Sequence, residues 1–190
     1  MGIDSMQEAK VDAAGLNLRE ITLQLDTYDD IFSDFDPRPY AKRELSEDFL
    51  KEIQRRYLED KRGGFEVLFT LPSQVRDTAG EALIKKRLRA HFSFMMKNES
   101  DSIKKTVKRG YLYITIGATV LLAEVLAFSI LHEASALYQV LSVFLVPAGW
   151  YGMFTGIGKV VDEPQESVEK KRLYEKFEKA NYVFMSQEQE

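Results

Sequence analysis

Two stretches of the chain are almost free of polar positions. Residues 110–131 (GYLYITIGATVLLAEVLAFSIL) hold one charge in 22 residues, and residues 137–158 (LYQVLSVFLVPAGWYGMFTGIG) hold none in 22. At 1.5 Å per residue each predicts a helix of about 33 Å, matching a bilayer hydrocarbon core of roughly 30 Å. The alternative is a pair of core helices in a soluble α protein. Neither stretch shows a polar stripe, and a 190-residue chain has little else to bury them against. Transmembrane spans are therefore expected. The short connector, residues 132–136, predicts an antiparallel hairpin.

The flanks read differently. Residues 20–25 (EITLQL) alternate Ile21, Leu23 and Leu25 with polar partners, the period of a half-buried strand. Residues 65–71 (FEVLFTL) predict a second strand closed by Pro72. Between them Ser46 is placed as a helix N-cap, with Glu47 and Asp48 in the first turn. Phe49, Leu50, Ile53, Tyr57 and Leu58 supply the apolar face, and Gly63-Gly64 ends it. A strand–helix–strand unit of this size favours a parallel pair. A long helix capped by Asp77 or Thr78 follows, with Ile84, Leu88, Phe92 and Met95 on one face. After the spans, Pro164 suits a helix first turn, and Val168, Leu173 and Phe177 supply docking positions. Residues 181–185 (NYVFM) predict a third strand, since two strands alone make a marginal sheet.

The expected fold class is α/β plus transmembrane helices: a small cytosolic α/β domain (β-α-β-α … α-β) interrupted by an antiparallel two-helix transmembrane hairpin. The expected divisions are a disordered tail (1–17), a cytosolic domain ending in a basic juxtamembrane helix (18–109), the hairpin (110–158) and a returning helix and strand (159–190). Residues 1–17 have no apolar h-region, so no cleavable signal peptide is expected there.

Charge sharpens this picture. Residues 1–81 carry 11 basic and 18 acidic side chains, whereas residues 82–109 carry nine basic and two acidic. Lys85, Lys86, Arg87, Arg89, Lys104, Lys105, Lys108 and Arg109 are thus expected near anionic lipid headgroups. Lys159, Lys170, Lys171 and Arg172 follow the second span, and the connector has no Lys or Arg. By the positive-inside rule both termini are cytoplasmic. A net charge of −4 gives no reason to expect nucleic acid. The absence of cysteine excludes disulfides, zinc-thiolate sites and a cysteine nucleophile.

Candidate chemistry is sparse. Asp26, Asp29, Asp30, Asp34 and Asp36 place five carboxylates in eleven residues, enough to hold a hard cation. The spacing does not fit an EF-hand, and such loops usually employ Asp for turns and caps. The weak metal candidates are Asp29, Asp30, Asp34 and Asp36. Interleaved Ile31, Phe32 and Phe35 predict a loop packed on the domain, with Arg38 pairing one of the aspartates. His91 reads as a packing residue. No P-loop, dinucleotide-binding glycine pattern, GxSxG or HExxH is present, and no cofactor is expected.

Within the spans Glu124 is the outlying residue. A carboxylate at that depth costs roughly 2.5–3.5 kcal/mol on insertion scales, so it calls for a proton, a partner or water. Ser142 is the expected partner, with Gln139 a turn further out. Gly110, Gly117 and Glu124 recur every seven residues, and Ser142, Gly149, Gly152 and Gly156 share a face of the second span. Such small faces allow close helix approach, within one chain or in a homo-oligomer.

The segment Ser33-Asp34-Phe35-Asp36-Pro37-Arg38-Pro39-Tyr40, the two spans and the stretch Pro147-Ala148-Gly149-Trp150 together resemble a family of uncharacterised two-span bacterial membrane proteins. The resemblance covers most of residues 20–185. It implies a bacterial inner-membrane location and transfers neither an activity nor functional residues. Three functional classes follow from the residues. The leading expectation is a membrane-anchored interaction or regulatory module with a cytosolic protein or ligand partner. The second is an oligomeric channel or transporter component. The third is a metal-dependent enzyme using the aspartates.

Overall fold

The computed structural model describes residues 19–59, 65–131 and 136–187. The expectations of a tail over 1–17, a helix stop at Gly63-Gly64 and a loop over most of the connector lie outside those residues. The order of elements is β1 (Arg19–Gln24), α1 (Glu47–Glu59), β2 (Phe65–Pro72), α2 (Thr78–Leu131), α3 (Ala136–Val161), α4 (Pro164–Lys179) and β3 (Asn181–Gln187). The chain is mostly helical. It divides into two compact units, one of Met1–Phe92 with Lys176–Glu190 and the other of Ser93–Glu175.

The first unit is built on a three-stranded parallel sheet in the order β1-β2-β3. Its register sets Ile21, Val67 and Tyr182 side by side, and Leu23, Phe69 and Phe184 one pleat further on. These six are buried, while Thr22 and Gln24 are exposed and Leu68 and Val183 half-buried. Period-two alternation thus sends the apolar set to one covered face. Phe49, Ile53 and Tyr57 of α1 and Ile84, Leu88 and Phe92 of α2 are buried in the same unit. Phe177 joins them at the end of α4, its ring 4.9 Å from that of Phe92 and 5.6 Å from that of Tyr57. Burying a side chain of this size contributes about 1.5–3 kcal/mol. Leu58, expected on the apolar face of α1, is 53% exposed. It falls about 100° round from Tyr57, past the edge of the stripe. At the outer edge of β1 the Arg56 guanidinium of α1 donates to the Thr22 carbonyl. A charged side chain on an edge strand discourages pairing with another chain.

Asp77 opens α2. Its carboxylate accepts from the backbone N–H groups of Ala79 (3.1 Å) and Gly80 (2.9 Å), two donors that the first helical turn leaves without partners.

The second unit contains the apolar parts of two helices long and apolar enough to cross a membrane. Of their most apolar 18-residue windows only 6% and 17% is buried. Leu122, Leu126, Ile130, Val143, Phe144 and Phe154 are all exposed. A soluble core helix would hide such residues.

Candidate functional site

Residues 26–46 form the acidic loop of the first unit. Its neck is closed by a bridge between Phe32 and Leu45, with Ser33 N–H donating to the Glu44 carbonyl and Ser46 N–H to the Ile31 carbonyl. Ile31 and Phe32 are buried, and the Phe32 ring stacks on Tyr40 at 5.0 Å. The aspartates serve the loop itself. Asp30 accepts from the N–H groups of Asp26 (2.7 Å) and Thr27 (3.1 Å), capping the turn Tyr28–Ile31. Asp29 pairs with Arg43 and accepts from the Tyr40 hydroxyl. Asp36 is buried, holds Arg38 through Nε and Nη2, and accepts from the backbone N–H of Glu44 at 2.6 Å. The Arg38 guanidinium keeps the Asp36 carboxyl well below the usual carboxylate range. Asp34 is exposed.

The four weak metal candidates are not brought together as a cluster. Among the described residues no three His, Cys, Asp or Glu side chains converge as a metal site. Asp29, Asp30 and Asp36 already take N–H donors from arginine or backbone, which leaves fewer lone pairs for a cation.

The loop also departs from expectation at Phe35. This ring does not pack on the domain but is 98% exposed. It sits in a turn in which Asp36 N–H donates to the Ser33 carbonyl at 3.3 Å. The residue after it is the buried Asp36, so the backbone that carries the ring is anchored.

A second polar cluster escaped sequence reasoning. Glu81, one turn into α2, is buried; it accepts from the Tyr28 hydroxyl (3.1 Å) and from Arg76 through Nε (2.8 Å) and Nη2 (3.1 Å). The Tyr28 oxygen in turn accepts from Asp77 N–H at 2.9 Å. Burial pushes the Tyr28 hydroxyl up. The only sequence signal was an acidic residue in the first turn of a helix, which normally indicates a surface charge.

In the second unit the glycines make the closest contacts. A Cβ on Gly117 would lie 2.6 Å from the Gly149 carbonyl and 2.7 Å from Met153 N, and one on Gly156 would lie 2.7 Å from the Gly110 carbonyl. A Cβ on Gly152 would lie 3.0 Å from Gly117 Cα and 3.3 Å from the Tyr113 carbonyl. Gly110, Gly117, Gly149, Gly152 and Gly156 are all buried. Glu124 does not use Ser142. It accepts from the Tyr138 hydroxyl at 2.7 Å, while the Ser142 hydroxyl turns back to the Gln139 carbonyl at 3.1 Å. Tyr138 lies one turn nearer the connector than Ser142, and its longer side chain reaches the carboxylate. Thr115 and Thr119 likewise donate to carbonyls four residues earlier in α2, each at 2.8 Å.

The basic residues separate into two groups. Lys85 and Arg87, expected at headgroups, belong to the first unit's packing: Lys85 Nζ stands 5.5 Å over the Phe184 ring, and Arg87 Nε donates to the Arg43 carbonyl at 2.7 Å. Their positions fall beside Ile84 and Leu88 on the buried side of the helix. Lys86 and Arg89 are exposed. Lys104, Lys105, Lys108 and Arg109 are exposed on the second unit, with Lys104 pairing Asp101 at 3.6 Å. Here two grooves adjoin Arg109. One, of about 260 Å³, is lined by Lys105, Lys108, Arg109 and Leu112. The other, of about 430 Å³, is lined by Arg109, Leu112, Tyr113, Ile116 and Lys159.

No protein-family model matches the chain, nor does any curated protein or solved structure.

Proposed function

We propose that the protein is a membrane-anchored interaction module. In this reading α2 and α3 cross the bilayer as an antiparallel hairpin with both termini cytoplasmic, and the first unit recognises a protein partner. The bacterial inner membrane is the location that the resemblance of residues 33–40 and of the two spans implies. Contact between Gly110 and Gly156 at one end, and between Gly117 and Gly149 further along, favours the antiparallel sense. So does the pairing of Glu124 with Tyr138 still nearer the connector. Internal satisfaction of Thr115, Thr119 and Ser142 is what a hydrocarbon surround demands.

The observation that carries the recognition role is Phe35. An aromatic ring 98% exposed on an anchored turn loses little conformational entropy when a partner covers it, which is how interface anchors gain their weight. Acidic Asp34 on one side and Arg38 on the other give the surround a polar rim. The test is a photo-crosslinking amino acid placed at position 35 in cells. A discrete heavier product, absent when the probe stands at exposed Lys42, is expected. Equal or no crosslinking at the two positions sinks the recognition role.

The Glu124–Tyr138 pair favours a second reading, a component of an oligomeric channel. Two spans per chain cannot enclose a pore, so a monomeric particle in native lipid eliminates it. Pairing within one chain makes helix adhesion the simpler role, worth about 0.6–2 kcal/mol.

A further inference from the structure

We propose that the groove between Arg109 and Ile116 on α2, rimmed by Lys159 of α3, holds one acidic phospholipid; the proposal rests on the membrane placement above and adds a stoichiometric site to it. Arg109, Leu112, Tyr113 and Ile116 stand at spacings of three, one and three, a single helical face. Along that face the chemistry changes from a guanidinium to bare aliphatic surface within about 10 Å of helical rise. That is the succession a phospholipid presents, phosphate first and acyl chain next. Leu112 and Ile116 are 58% and 52% exposed, so the floor is open to a chain. The groove of about 430 Å³ falls within the range of about 300–1,000 Å³ typical of small-molecule sites.

Charge decides the headgroup. Among the described residues Asp101 pairs with Lys104 at 3.6 Å and Glu163 with Lys159 at 2.7 Å. No ion pair there joins a carboxylate to Arg109, Lys105 or Lys108, the cations that line the two grooves. Arg109 is therefore the principal phosphate ligand, since its planar fork matches phosphate oxygens, and Lys159 contributes a shared charge. A free phosphate would leave Leu112 and Ile116 unused, and a zwitterionic headgroup would place a choline against Arg109.

Native mass spectrometry of the full chain in mild detergent tests this. Phosphatidylglycerol and phosphatidylcholine of identical acyl chains are titrated separately. A saturable single phosphatidylglycerol adduct is expected, at least tenfold tighter than the phosphatidylcholine one. Arg109→Gln should abolish the preference and Arg109→Lys should retain part of it. Ile116→Trp, which fills the apolar floor without altering charge, should weaken binding as well. Lys97→Gln, at an exposed lysine that lines neither groove, should leave it unchanged. Equal binding of the two lipids, or unsaturable adducts reduced alike by Arg109→Gln and Lys97→Gln, overturns the site and leaves the membrane reading standing. Displacement by inorganic phosphate overturns it in favour of a simple anion site. Loss of the wild-type chain from membranes on carbonate extraction overturns both readings together.

Discussion

Among the described residues the buried Asp36 and Glu81 are matched to named donors, and His91 is expected to make the first unit sensitive to mild acid. The imidazole is half-buried, its ring 5.4 Å from that of Phe92. Burial lowers its pKa, and the nearby Arg87 lowers it further, against a smaller opposing pull from Glu44. A histidine depressed in the folded state binds its proton more readily when unfolded, so stability is complete above the unfolded value near 6.5 and declines as pH falls through it. Hydrogen exchange of the β2 amides, corrected for intrinsic rate, should show protection falling between pH 7.5 and 5.5. His91→Gln should flatten that slope. An unchanged slope in the variant would assign the acid response to another group. Asp36 responds lower on the scale: its depressed pKa means that its contribution is lost only as pH falls below the ordinary carboxylate range.

Helices α2 and α3 approach through glycine, and here a single methyl has a calculable consequence. A Cβ at Gly117 would stand 2.6–3.1 Å from backbone atoms of Gly149, Met153 and Gly152, and backbone cannot turn aside as a side chain can. Gly158 is the natural control, because its nearest atom is the Asp162 carboxylate at 3.8 Å. Gly117→Ala should destabilise the helix pair by about 1–3 kcal/mol, the usual cost of overpacking. Gly158→Ala should cost nothing and stabilise α3 by up to about 1 kcal/mol, since alanine is the better helix former. Thermal denaturation in detergent compares the two, and equal melting would mean that the helices do not depend on the glycine contact. The same reasoning explains why Ser142 is not the partner of Glu124. Face and depth can be read from spacing, but side-chain length decides which hydroxyl arrives, and tyrosine arrives from one turn away.

At the scale of the molecule the notable fact is that the first unit is discontinuous. Its central strand β2 pairs with β1 on one side and with β3, more than a hundred residues later, on the other. The Tyr182 ring runs parallel to that of Phe69 at 6.2 Å, Phe184 packs on both Phe69 and Tyr28, and the Tyr182 hydroxyl donates to the Phe177 carbonyl at 2.7 Å. Residues 1–92 alone therefore lack a strand and several buried rings. That fragment should aggregate or bind hydrophobic dye, whereas residues 1–92 joined to 176–190 by a flexible Gly/Ser linker should melt cooperatively as a soluble domain. A cooperative 1–92 fragment would show that β3 is dispensable. With no cysteine in the chain, single engineered thiols at either terminus also give a clean labelling test of the cytoplasmic orientation proposed for both ends.

The amino-acid order by itself determined whatever depends on periodicity and local composition. The alternation of Ile21, Leu23 and Leu25, the heptad of Gly110, Gly117 and Glu124 and two 22-residue apolar runs are each complete within a window of one element. Even β3 was legible, because NYVFM has strand propensity and a two-stranded sheet lacked a partner. Tertiary structure decided what depends on who arrives from elsewhere. Five aspartates in a row of eleven carry the same local signature whether they bind a cation or cap their own loop. In the fold Arg43 pairs with Asp29, and Arg38 and the Glu44 amide close on Asp36. Glu81 is an ordinary first-turn acid until Tyr28 and Arg76 enclose it. Phe35 has the sequence of a core residue and the position of an exposed one, because the turn that holds it points the chain outward while Asp36 takes the buried place. Lys85 and Arg87 belong to a basic run by composition and to the packed unit by geometry, since burial is a property of a helix face and not of a charge count.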